Sequence, residues 1–150
     1  MSKSFTLSID AMGGDNAPRK IVEGIELALK RHSSVNFMLF GDQAKIKPLL
    51  AEFTRAAARS RVIHTEEFVT DDEKPGHALR SGRNSSMRLA INAVSDGEAD
   101  GLISAGNTGA IMAMAKFVLK TLPGIDRPAI ATSFPTRRGG SVMLDLGANI

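Results

Sequence analysis

Apolar residues follow two alternating rhythms along this chain: short dense or every-second-residue runs, and longer stretches with an apolar residue every three or four positions. Phe5 to Asp10 alternates and ends at Gly13-Gly14, which predicts a short strand. Val22, Ile25 and Leu29 then form a stripe at helical spacing, with Pro18 suited to the first turn. Val35 to Phe40 is almost continuously apolar and closes at Gly41-Asp42, the pattern of a strand buried on both faces. A second helix is expected from about Pro48, with Leu49, Leu50, Phe53 and Ala57 on one side. Arg61 to Thr65 reads as a third strand. Glu66 to Gly82 is the least regular stretch, with room for a short helical turn after Lys74-Pro75-Gly76. Ser85 is placed to cap a helix striped by Met87, Ala90, Ile91 and Val94 that ends at Gly97. Asp100 to Ser104 is a fourth strand, and Ile111, Ala115, Val118 and Leu122 stripe the helix after it, where Met112 and Met114 read as core. Pro128 to Phe134 and Ser141 to Leu146 read as strands of an antiparallel hairpin.

Strand and helix alternate through most of this pattern. That predicts an α/β fold, a three-layer α/β/α sandwich with a mostly parallel sheet. No internal repeat or interdomain linker interrupts it, so residues 1–150 read as part of a single α/β domain. The sequence stops with apolar Ile150 just past a predicted buried strand, from which a longer protein is expected.

Composition narrows the chemistry. Hydrophobic residues make up 43% and charged residues 23%, ordinary values for a globular domain. The net charge of +3 and the lack of any Lys/Arg block or of Trp and Tyr argue against nucleic acid as a partner. With no cysteine, this chain holds no disulfide, no Cys-ligated metal and no thiolate nucleophile. The N-terminus lacks the continuous apolar stretch of a signal peptide, and Gly109 to Leu119 is too short to span a bilayer. A cytoplasmic protein is the simplest expectation.

In open α/β sheets ligands bind beyond the carboxyl ends of the strands. Three polar, glycine-containing segments fall there: Asp10-Ala-Met-Gly13-Gly14-Asp15-Asn16, Ser104-Ala-Gly106-Asn107-Thr108-Gly109, and Asp145-Leu-Gly-Ala-Asn149. In the second, Gly106 and Gly109 permit a tight turn, Asn107 or Thr108 can cap the next helix, and the N–H groups of its first turn make an anion site. The same residues would serve equally as a capped turn that binds nothing. In the first, Gly13-Gly14 allows close backbone approach while Asp10 and Asp15 orient neighbouring groups; Asp15 or Asn16 as a simple helix cap is the competing reading. Thr70-Asp-Asp-Glu73 reads as a solvated turn rather than a metal cluster. His32, His64 and His77 show no zinc spacing, and no G-x-S-x-G, Walker A or dinucleotide G-x-G-x-x-G pattern occurs. Arg127, Arg137 and Arg138 are further candidates for clamping an anion.

Six segments in order, Asp10-Ala-Met-Gly-Gly-Asp15, Lys74-Pro75, Ser85-Ser-Met87, Ser104-Ala-Gly-Asn-Thr-Gly-Ala110, Pro123-Gly-Ile-Asp-Arg-Pro-Ala129 and Asp145-Leu-Gly-Ala-Asn149, resemble the phosphate acyltransferases of bacterial phospholipid synthesis (the PlsX family). The resemblance runs over the whole chain. It implies a phosphotransacetylase-like and isopropylmalate-dehydrogenase-like fold and a homodimer. It also implies conversion of an acyl carrier protein thioester and inorganic phosphate to acyl phosphate and free carrier protein. The product would feed a membrane glycerol-3-phosphate acyltransferase, with peripheral association at the inner face of the membrane. On this reading Asn107 and Thr108 donate hydrogen bonds to phosphate or the developing oxyanion, and Asp10, Gly13, Gly14, Asp15, Ser104, Gly106, Gly109, Asp145 and Asn149 shape the surrounding site. The reaction calls for no cofactor and no metal. Two other classes stay open from the residues alone: a metal- and NAD-dependent dehydrogenase of the isopropylmalate type, and a non-catalytic phosphate or acyl-phosphate sensor.

Overall fold

A computed structural model describes residues 5–145 of the chain. Its centre is a parallel sheet of β1 (Thr6–Asp10), β2 (Asn36–Gly41), β3 (Ser60–His64) and β4 (Gly101–Ile103), in the order β3-β2-β1-β4. Ile9 of β1 stands opposite Leu39 of β2 and Ile103 of β4. The order places a topological switch between β1 and β4, because the chain leaves β1 toward β2 and later returns to its other side.

The two faces of β1 follow from the period of two in its sequence. Leu7 and Ile9 face α1 (Arg19–Leu29), α2 (Gln43–Glu52) and α3 (Thr54–Arg59), in a core with Val22, Ile25, Leu29, Leu39, Ile46, Leu50 and Ala56. Full burial of each large aliphatic side chain there contributes about 1.5–3 kcal/mol relative to exposure. Ser8 and Asp10 face the other side, beneath α5 (Ser86–Ser95), where Ser8 Oγ donates to Ala90 O at 2.7 Å. Small residues let α5 lie close: Ala90 and Ala93 pack on Met38, Phe40 and Ala99. α4 (Pro75–Ser81) and α6 (Thr108–Leu119) then join α5 through Ala78, Met87, Ile91, Ala110 and Met114. The layers are helix, sheet, helix, and the α/β fold with a parallel sheet is as expected from the sequence.

Three expectations about elements change. The helix expected from Pro48 begins five residues earlier, at Gln43, because Asp42 caps it by accepting from Ala44 N at 2.9 Å, and Pro48 lies inside it. It also breaks at Phe53, whose extended backbone separates α2 from α3, so that Ala56 is buried and Ala57 is not. The last helix ends at Leu119, where Lys120 adopts φ 67°, and Leu122 lies outside the stripe at 77% exposure. Finally β5 (Ala131–Thr136) and β6 (Gly139–Leu144) do form an antiparallel hairpin, but as a separate two-stranded sheet, with β5 starting three residues later than expected. No described helix is long and apolar enough to cross a membrane.

Candidate functional site

Two loops meet at the switch point. The first leaves β1 at Asp10, and the second leaves β4 at Ser104 and enters α6. Asp10 is 1% exposed. Its Oδ2 accepts from Ser104 Oγ at 2.7 Å, and its Oδ1 accepts from Ser86 Oγ at 2.6 Å and Met12 N at 3.3 Å. Ser104 Oγ in turn accepts from Gly106 N at 3.1 Å. One carboxylate therefore ties together the end of β1, the start of α5 and the turn into α6.

The loops touch through their backbones, which only glycine allows. A Cβ on Gly13 would overlap Asp10 Oδ2 and lie 3.0 Å from both Gly106 N and Ser104 Oγ. Gly14 adopts φ 88°, and a Cβ there would stand 2.7 Å from Ala105 O. Gly106 faces Gly13 with similar closeness, at 3.1 Å from its would-be Cβ to Gly13 Cα.

The turn into α6 is held by Asn107. Its Oδ1 accepts from Ala110 N at 2.9 Å, the geometry of an N-cap. Its Nδ2 donates to Glu73 O at 2.8 Å, Asp71 O at 3.1 Å and Thr70 O at 3.2 Å. From the sequence Asn107 is expected to donate to an anion, but its amide hydrogens are directed at these carbonyls. The groups left to a ligand are the backbone N–H of Thr108 and Gly109, for which no acceptor exists among the described residues, and the exposed Thr108 hydroxyl. They lie at the positive end of the α6 dipole.

The remaining candidates fall as follows. Asp15 is exposed beyond Gly14, and neither it nor Asn16 caps α1, whose N-cap is Pro18 with no side-chain bond. Asp145 follows the separate hairpin, paired with Arg127 at 3.3 Å and donating its N–H to Ile130 O, and neither of these bonds involves Asp10 or Ser104. Arg137 and Arg138 form the hairpin's tip. Asn149 lies outside the described residues. Ser86 is a further residue of the Asp10 cluster; the sequence signals it only as part of the Ser85-Ser-Met87 segment, one residue after a helix cap.

Other polar groups are engaged elsewhere. The Thr70 hydroxyl lowers the Asp72 carboxyl below its ordinary range. Glu73 and Ser81 both approach the same nitrogen of His77, at 2.6 and 3.2 Å, so these three form a helical ladder and not a relay through the two ring nitrogens. A cavity of about 350 Å³ opens at the amino ends of β1 and β2, the end of the sheet opposite the switch point, and there Arg61 is paired with Glu98 at 2.8 Å.

Sequence comparison decides the family. Residues 5–150 match the family described as "Fatty acid synthesis protein". The chain belongs to that family. Among curated members, the phosphate acyltransferase of Rhodospirillum centenum is 60% identical over 150 residues, all of this chain and 42% of the relative. The phosphate acyltransferase of Rhodospirillum rubrum is 59% identical over 149 residues, 99% of this chain and 43% of the relative. That of Paramagnetospirillum magneticum is 56% identical over 150 residues, all of this chain and 43% of the relative. The chain thus spans about two-fifths of the length of the fatty acid synthesis proteins it matches.

Proposed function

We propose that the protein to which this chain belongs transfers an acyl group from an acyl carrier protein thioester to inorganic phosphate, releasing acyl phosphate and free carrier protein. The observation that carries this reading is the turn at the switch point. Thr108 and Gly109 offer N–H groups without an acceptor among the described residues at a helix start, in a chain whose relatives are named phosphate acyltransferases. Phosphate is already anionic near neutral pH and needs positioning more than a strong base. One of its oxygens attacks the thioester carbonyl, the C–S bond breaks and the carrier thiolate leaves. N–H donors aimed at the site hold the phosphate or the oxyanion that forms on the carbonyl oxygen. The lack of cysteine in this chain agrees with direct attack, without an acyl group parked on an enzyme sulfur.

In this reading Thr108, Gly109 and the Gly13-Gly14 loop touch the anion. Asp10, Ser104 and Gly106 fix the turn, and Asn107 acts by anchoring it. Asp15, Asp145 and Asn149 complete the surroundings. The enzyme works in the cytoplasm as a homodimer, and its product serves a membrane glycerol-3-phosphate acyltransferase at the inner face of the membrane.

The test is turnover of the full-length protein and of residues 1–150 side by side, with carrier-protein thioester and phosphate, trapping acyl phosphate with hydroxylamine. Phosphate-dependent hydroxamate from the full-length protein is expected. Its absence from folded full-length protein would refute the reading, and product from both would place the complete site within these 150 residues.

A further inference from the structure

We infer that Ser86 is a positioning residue for the phosphate site, acting through Asp10 on the turn that begins α6; the inference rests on the function proposed above. Ser86 is wholly buried and opens α5, one residue after the cap Ser85, so its place is fixed by a helix and not by a loop. Its hydroxyl donates to Asp10 Oδ1 at 2.6 Å, and Ser104 donates to Oδ2 at 2.7 Å. Among the described residues no cation pairs with Asp10, so these two hydroxyls and the longer Met12 N–H contact hold the carboxylate.

The polarity of the chain of bonds follows. Ser104 donates to Asp10 Oδ2, so its single hydroxyl hydrogen points at Asp10. Ser104 Oγ then presents a lone pair, and Gly106 N–H donates to it at 3.1 Å. That fixes the Ala105–Gly106 peptide, from which the chain enters the Asn107 cap and the Thr108 and Gly109 N–H groups. Ser86 sits at the far end of the same chain. Without it, Oδ1 keeps only the 3.3 Å contact with Met12, and the carboxylate turns to recover a donor, drawing Ser104 with it. Ser86 itself touches no substrate in this scheme.

The experiment measures kcat, KM for phosphate and KM for the carrier-protein thioester in full-length wild type, S86A, S104A and the S86A/S104A double variant. S86A is expected to raise the phosphate KM about tenfold while leaving the thioester KM within about twofold, a split that general loosening of the fold would not produce. Because both serines act on one turn, S86A should add little once Ser104 is gone. A phosphate KM unchanged in S86A, a parallel rise in both KM values, or effects that multiply in the double variant would overturn the inference. If S86A does not fold, S86C decides: it keeps the size but is a weak donor. A raised phosphate KM alone upholds the role, and wild-type values refute it. Wild-type protein lacking phosphate-dependent turnover would instead remove the functional reading itself, which separates the two failures.

Discussion

At the scale of single residues, Gly13 and Asn107 carry the site in opposite ways, one by having no side chain and the other by using all of it. A methyl group on Gly13 would meet a buried carboxylate, a serine hydroxyl and a backbone nitrogen, none of which is the free end of a flexible chain. Gly13→Ala should therefore lower phosphate-dependent turnover about a hundredfold, the scale of an ångström-sized displacement, with the far-ultraviolet circular dichroism unchanged. Gly24 is the contrast, in the exposed middle of α1 with nothing within 4 Å. Gly24→Ala should stabilise the chain by about 0.5–1 kcal/mol in denaturant titrations. Asn107→Ala removes the cap and frees the Thr70, Asp71 and Glu73 carbonyls, so turnover should fall about tenfold or more and Thr70–Glu73 should become open to proteolysis. Asn107→Asp keeps the cap and loses the donors; it should release Thr70–Glu73 while α6 stays intact by hydrogen exchange. Full activity in Asn107→Ala would remove Asn107 from the site. Its capping role was legible in the sequence, since Asn before a helix with a free N–H three residues on is a local pattern. The grip on a loop 34 to 37 residues away was not, because nothing local encodes it.

Among the elements, what was legible is what repeats with a fixed period. The four parallel strands and α1 follow from every-second and every-third-or-fourth apolar positions, and α5 from its stripe and its Ser85 cap. The start of α2 is hidden because Pro48 looks like a helix start, while the Asp42 cap and the burial of Ile46 outweigh the backbone bond that proline forgoes. What pins α3 is a long-range contact. Glu26 of α1 accepts from Ala56 N at 2.9 Å and from Arg55 at 2.8 Å. The Ala56 N–H first, and the Arg55 guanidinium after it, hold the Glu26 carboxyl below its ordinary value of 4.5. A carboxyl lowered in the folded state stabilises the fold above its unfolded pKa, and that stabilisation is lost as pH falls through the folded value. Wild type should therefore melt above Glu26→Gln at pH 7, and the gap should close on titration to pH values below 4.5. A gap that stays constant with pH would mean that the carboxylate charge contributes nothing to holding α3.

For the whole molecule, apolar surface is unevenly distributed, and the division falls at β4. Before it the large hydrophobic residues are mostly in the two core layers. From Ile103 onward a series stands in solvent: Ile103 at 46%, Phe117 at 54%, Leu122 at 77%, Val142 at 73% and Leu144 at 64% exposure. Among the described residues, β4 has a neighbour on one side only and the hairpin forms a sheet with two open edges. Unpaired strand edges beside exposed apolar side chains are the usual route to association. Residues 1–150 alone should therefore associate in a concentration-dependent way by sedimentation velocity. Ile103→Lys and Val142→Lys together should shift the distribution toward monomer, since a charge on each edge opposes strand pairing. The turn after β4 is held by Asp10 through Ser104 and by the Asn107 side chain, so the double variant should keep the hydrogen-exchange protection of the Gly106 and Ala110 N–H groups. A chain that stays monomeric at every concentration would show that these side chains cover one another in solution. Loss of protection at the turn in the double variant would show instead that the site depends on the apolar surface, and that β4's edge is part of what positions it.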